Sequence, residues 1–132
     1  GEGELRVPRK TGRVLVVEDN EINREIAETL LSEIGCEVSH ASDGLEAIEL
    51  CRTKEGDFFD LILMDIHMPR MNGYDAAKIL KQELHVLSPI IAVTASAESR
   101  EVVEANRDYI GGYLEKPYNP GAFRVMFADY PK

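Results

Sequence analysis

The chain has 132 residues and a mass of 14.8 kDa, which suits one compact domain and is too short for two ordinary ones. Hydrophobic residues make up 44% of it, enough for a core, while 24 acids against 15 bases give a formal charge of −9. That balance argues against a surface built to neutralise nucleic-acid phosphates or anionic lipid, and no apolar run approaches the length of a membrane span.

Residues 1–12 carry Gly, Pro, Arg and Lys with little apolar pattern and read as a linker or tail. They contain no apolar stretch of the signal-peptide kind, and a start at Gly1 rather than Met fits a processed or excised fragment. Val14 to Val17 is a continuous aliphatic run, typical of a strand buried on both faces. Ile22, Ile26, Leu30 and Ile34 then recur every fourth residue, predicting a helix with that row as its inner face and Gly35 as its stop. Cys36 to His40 reads as a second strand. Ser42 or Asp43 is the cap of a second helix, with Leu45, Ile48 and Cys51 inward. The two cysteines, Cys36 and Cys51, have neither a zinc nor a redox spacing, so reduced thiols in a cytosolic compartment are expected.

Asp60 to Met64 predicts a third strand, followed by a loop over Met68 to Gly73 and a helix from Tyr74 to Glu83. Pro89 to Val93 predicts a fourth strand, and a polar helix with a thin apolar face (Val102, Val103, Ala105) spans Glu98 to Arg107. A short strand near Gly112 to Leu114 and a brief helix from Ala122 to Ala128 complete the pattern. The last helix is expected to be short, broken by Pro120 and Gly121 and ended by Pro131. Strands alternating with helices predict an α/β fold, a parallel sheet covered on both faces.

In such sheets ligands bind beyond the carboxyl ends of the strands. Glu18 and Asp19 follow the first strand, Asp65 the third, Thr94 the fourth, and Glu115, Lys116 and Pro117 the fifth. Taken singly, each is an ordinary helix cap, turn residue or solvated side chain. Taken together they form a set of carboxylates, a hydroxyl and an ammonium at one end of the sheet. Clustered carboxylates need compensation, and a hard cation such as magnesium, with oxygen ligands, supplies it. A carboxylate is also a competent nucleophile for phosphoryl transfer through an aspartyl-phosphate. His40, His67 and His85 have no metal-ligand spacing, and the group Met64, Met68 and Met71 reads as core and loop packing.

The segments VLVVEDN (Val14 to Asn20), LILMDIHMPRMNG (Leu61 to Gly73), VTA (Val93 to Ala95) and YLEKP (Tyr113 to Pro117) resemble the receiver domain of two-component response regulators. The resemblance runs from Arg13 to about Phe127 and gives a receiver domain over residues 13–128. It implies a doubly wound, flavodoxin-like (βα)5 fold with strand order 2-1-3-4-5. It also implies that Asp65 accepts a phosphoryl group from a histidine of a partner kinase or phosphotransfer domain. Asp19, Asp65 and the main-chain oxygen of His67 would ligate Mg2+, with Glu18 acting largely through water. Thr94 and Lys116 would bind the phosphoryl group, and Tyr113 would turn inward as Thr94 moves. The output surface would run roughly from Glu98 to Phe127. Such a domain catalyses its own phosphorylation and dephosphorylation and turns over no external substrate.

Asn72 stands where the family often has Asp, and Glu-Asp replaces Asp-Asp in the acidic pair, with little expected effect. His67 and Ser96, two positions past Asp65 and Thr94, leave the phosphoryl lifetime open. The style of VEDN-EIN and MDIHMP-RMNG resembles receivers attached to hybrid histidine kinases, against the alternative of a stand-alone regulator. A cytoplasmic location follows, the cytoplasmic part of a membrane-bound kinase being one setting. Direct nucleic-acid or membrane contact is not expected, and the sequence is silent on oligomeric state. A haloacid-dehalogenase-like phosphatase would carry Asp at His67. A nucleotide or flavin module would show a Gly-rich phosphate loop, and none occurs. A degenerate receiver would lack part of the set Asp19, Asp65, Thr94 and Lys116.

Overall fold

The computed structural model describes residues 12–129. Five strands alternate with five helices: β1 (Arg13–Val17), α1 (Glu21–Ile34), β2 (Glu37–Ala41), α2 (Gly44–Arg52), β3 (Leu61–Asp65), α3 (Gly73–Gln82), β4 (Ile90–Thr94), α4 (Arg100–Ala105), β5 (Gly112–Glu115) and α5 (Pro120–Asp129). The strands form one parallel sheet in the order β2-β1-β3-β4-β5, as expected. The expected tail lies, apart from Gly12, outside the described residues; the Gly12 carbonyl accepts from Glu37 N–H at 2.7 Å.

The pleat of the central strands divides the core. Leu15, Val17, Ile62, Met64, Ile90 and Ala92 point to one side, where they meet Ala47, Ile48 and Cys51 of α2 and Ala76, Ala77 and Leu80 of α3. Val14, Val16, Leu61, Leu63, Ile91 and Val93 point to the other, against Ala27 and Leu31 of α1 and Phe123 of α5. Burial on both faces explains why these strands read as unbroken apolar runs rather than alternating ones. The two free cysteines fall in different clusters on opposite sides of the sheet, and burial pushes each thiol up to about 11.

The row expected to face inward on α1 is corrected. Ala27 and Leu31 are the buried residues, Leu30 and Ile34 pack at the margin, and Ile22 and Ile26 are 69% and 42% exposed. A strict four-residue row drifts by about 40° per step around an α-helix, so it cannot stay on one face for three steps. The small Ala27 lies where the helix closes on the sheet. Leu45 of α2 likewise turns outward, while Ile48 and Cys51 point in as expected. Asp43, not Ser42, caps α2, accepting from Glu46 N–H at 2.9 Å, and Gly35 ends α1 in the left-handed conformation.

At the other end of the chain, α5 is longer than expected. Pro120 does not break the helix but begins it, where a missing N–H costs nothing, and Asn119 Oδ1 accepts from Ala122 N–H at 3.0 Å. Pro131 lies outside the described residues. The fourth helix is shorter than expected, six residues capped by Ser99, and buries none of them. Only weak apolar contact holds it, which suits a segment that moves.

Gly73 opens α3 directly beneath the end of β3. A Cβ at this position would lie 2.5 Å from the Asp65 main-chain oxygen and 2.9 Å from both Ile66 Cδ1 and Met64 Cγ. Backbone cannot yield to such contacts cheaply. Gly73→Ala is therefore expected to destabilise the fold by about 3 kcal/mol, read as a lowered denaturant midpoint at unchanged m-value.

Candidate functional site

The parallel register brings the strand ends together. Asp65 closes β3 in register with Val93, one residue before Thr94, and Thr94 is in register with Glu115, one residue before Lys116. Glu18 and Asp19 follow β1, which pairs with β3 through Val17 and Met64. Residues distant in sequence thus meet above the centre of the sheet because each terminates a neighbouring strand. Glu18, Asp65 and Thr94 are buried, and Asp19 is exposed at the mouth.

One carboxylate oxygen from each of Glu18, Asp19 and Asp65 lies within 4.8 Å of the others. Lys116 Nζ reaches into this group, 3.2 Å from Asp65 Oδ2 and 3.3 Å from Glu18 Oε2. The loop after β3 curls back so that His67 N–H donates to Asp65 Oδ1 at 3.2 Å. Asn72, the departure in this loop, caps α3 by accepting from Asp75 N–H at 2.9 Å and lies outside the acidic group. Arg70 holds a positive φ of 68° in the same loop and is tied through Nε to the buried Asp43 carboxylate at 2.8 Å.

The charges do not balance within the protein. Burial and then the Glu18 charge push Asp65 up to about 7, with Lys116 pulling the other way. Burial works to lower Lys116, but the Asp65 and Glu18 charges outweigh it and hold its ammonium above the usual range. One ammonium against three carboxylates leaves an excess of negative charge facing outward through Asp19. All-oxygen donors with uncompensated charge are the chemistry a hard divalent cation requires, so the pocket fits Mg2+.

Tyr113 sits on β5 with its hydroxyl buried, beside the equally buried hydroxyl of Tyr74 on α3. Burial raises Tyr74, and the Tyr113 hydroxyl and then Glu98 add to the shift. The sequence reading missed two side chains that touch Glu18. Tyr118 donates its hydroxyl to Glu18 Oε1 at 3.3 Å, and Arg24 Nη1 donates to the Glu18 main-chain oxygen at 3.2 Å. For Tyr118 the available signal was its place two residues after Lys116. For Arg24 there was none beyond its position in the first turns of α1.

Known proteins agree with this geometry. The family model for the response regulator receiver domain matches residues 14–128. The chain is 31% identical over 121 residues to the osmosensing histidine protein kinase SLN1 of Saccharomyces cerevisiae, covering 89% of this chain and 10% of that protein. It is 36% identical over 122 residues to the polar-differentiation response regulator DivK of Brucella ovis, covering 91% of this chain and 96% of DivK. Its fold is similar, with a TM-score of 0.74, to the receiver domain of sensor histidine kinase PA1611 from Pseudomonas aeruginosa PAO1, solved with a magnesium ion in its active-site cleft. The two are 31% identical, and the match covers 89% of this chain and 94% of that one. The chain thus spans a small fraction of the sensor kinase SLN1 and nearly all of DivK. With the strand order, the acidic group and the Lys116 contacts already in place, the match over almost the entire described fold means that the chain belongs to the response regulator receiver domain family.

Proposed function

We propose that this domain, residues 13–128 behind a linker, is the phospho-accepting receiver of a hybrid histidine kinase, with Asp65 as its acceptor. The observation that carries the reading is a buried carboxylate at the end of β3, in contact with one ammonium and grouped with two further carboxylates. The donor is a phosphohistidine of a kinase or phosphotransfer domain. An Asp65 carboxylate oxygen attacks phosphorus, the P–N bond breaks as the P–O bond forms, and the released imidazole nitrogen takes up a proton. Asp19, Asp65 and the His67 main-chain oxygen would hold Mg2+, with Glu18 acting on it largely through water. When bound, the metal supplies positive charge against the carboxylates and the phosphoryl oxygens.

Lys116 then shifts from Asp65 to a phosphoryl oxygen, and Thr94 donates its hydroxyl to another. Both side chains interact differently with the two states, so the modification moves a two-state equilibrium, which Tyr113 transmits to α4, β5 and α5. Ile22 and Ile26, exposed on the first turns after Asp19, flank a shallow depression of about 310 Å³ and offer an apolar seat for the donor domain beside the pocket. The free buried thiols suit a cytoplasmic setting. Among the described residues no helix is long and apolar enough to cross a membrane. The near-complete span of DivK favours a second reading, a stand-alone regulator with the same chemistry.

Beryllofluoride, a stable stand-in for the phosphoryl group, tests the switch. It is expected to bind only with a divalent cation and to shift the amide signals of Thr94 and Tyr113. Binding that left those signals in place would disprove the Thr94–Tyr113 route.

A further inference from the structure

Glu18 is the most deeply buried acid of the pocket, at 0% exposure, and its two oxygens have different partners. Oε2 accepts from Asn20 N–H at 3.2 Å and lies 3.3 Å from Lys116 Nζ. Lys116 is equally close to Oε1, at 3.3 Å, but it is shared with Asp65. Among the described residues, the side-chain donor directed at Oε1 and at no other carboxylate of the group is the hydroxyl of Tyr118, at 3.3 Å. Tyr118 is itself held firmly. It is buried, and its ring meets Phe123 of α5 edge to face, with centroids 5.4 Å apart and planes at 85°. Burial, then the Glu18 and Asp65 charges, raise its hydroxyl well above the tyrosine range, so it stays protonated and remains a donor.

We propose that Tyr118 is a positioning residue of the acidic pocket: its hydroxyl fixes Glu18 facing Asp19 and Asp65, and so sets the pocket's affinity for a divalent cation. The proposal rests on the reading of that pocket as a magnesium site. The physical reason is rotational. Oε2 has two donors, Asn20 N–H and Lys116, and among the described residues only the shared ammonium would restrain Oε1 without Tyr118. The carboxylate then turns toward Lys116, and the oxygen presented to the cation site is lost or misplaced. Groups that orient the ligands of a metal, without touching it, typically change affinity by about 10- to 100-fold.

Tyr118→Phe keeps the ring and its contact with Phe123 and removes only the hydroxyl. Magnesium is titrated calorimetrically into the wild type, Y118F, E18Q and the double variant, with thermal melting confirming that each is folded. Y118F is expected to bind magnesium roughly tenfold more weakly than the wild type. Its phosphorylation rate should be restored at saturating magnesium, a shift in metal dependence rather than in maximal rate. In the E18Q background the same substitution should change nothing, because the hydroxyl acts through Glu18. Equal magnesium affinity in wild type and Y118F would overturn the inference while leaving the magnesium site intact. So would an equal loss on adding Y118F to E18Q. A wild-type protein that bound no magnesium would overturn the pocket reading and this inference with it.

Discussion

Incubated with magnesium and acetyl phosphate, the protein is expected to gain a single phosphoryl group by intact mass, and Asp65→Asn to gain none. The effect is all-or-none because the variant removes the nucleophile and leaves its surroundings. Asn is nearly isosteric and keeps one of the two acceptor oxygens, for either Lys116 or the His67 N–H, so the Gly73 turn is undisturbed and a thermal melt checks that loss of the adduct is not misfolding. Glu18 and Asp19 cannot substitute. Glu18 is buried with each oxygen already engaged, and Asp19 lies exposed at the mouth without the Lys116 contact that Asp65 has. Omitting magnesium should also suppress the adduct. An adduct that survived in Asp65→Asn would place the acceptor elsewhere.

The second large effect is on pH. Asp65 is held near 7 by burial and the Glu18 charge, against the pull of Lys116. Below that value the metal-free pocket carries a proton that cation binding must expel. Apparent magnesium affinity is therefore expected to fall about tenfold per pH unit from about pH 7 to about pH 5, and to be flat above about pH 8. Titrations at several pH values check this, and a pH-independent affinity would contradict it. Stability runs the opposite way. A carboxyl raised in the folded state stabilises the fold at low pH, and that contribution is lost as pH rises from the unfolded carboxylate range through 7. Without metal, Asp65→Asn should melt roughly 5 °C above the wild type at about pH 8, and the gap should close on acidification. Asp43 has the other sign. Burial works to raise it, but the Glu46 N–H and Arg70 outweigh this and hold it low, so its contribution is lost on acidification.

The strands and the site were legible in the sequence for a shared reason. A strand buried on both faces must be apolar throughout, so the polar residues that end it stand out, and in a parallel sheet those ends lie together. Glu18, Asp19, Asp65 and Lys116 could thus be found before any coordinates. The inner face of α1 could not. Its Ile row is more hydrophobic than Ala27, and only the closeness of helix and sheet selects the smaller residue. The start of α5 is ambiguous in the sequence because Pro120 breaks a helix interior yet begins a helix well, and the Asn119 cap distinguishes the two cases. Tyr118 escaped notice because an aromatic after Lys-Pro reads as core. Its ring is core, and only its oxygen belongs to the site.

The adjacent buried hydroxyls of Tyr74 and Tyr113 join α3 to β5, with Glu98 beside Tyr74. Polar partners are few at that depth, so a ring that moved alone would leave the other oxygen without one, at a cost of about 1–3 kcal/mol. The two rings are therefore expected to shift together rather than singly. Tyr74→Phe would remove that constraint and let the Tyr113 ring turn independently of α3.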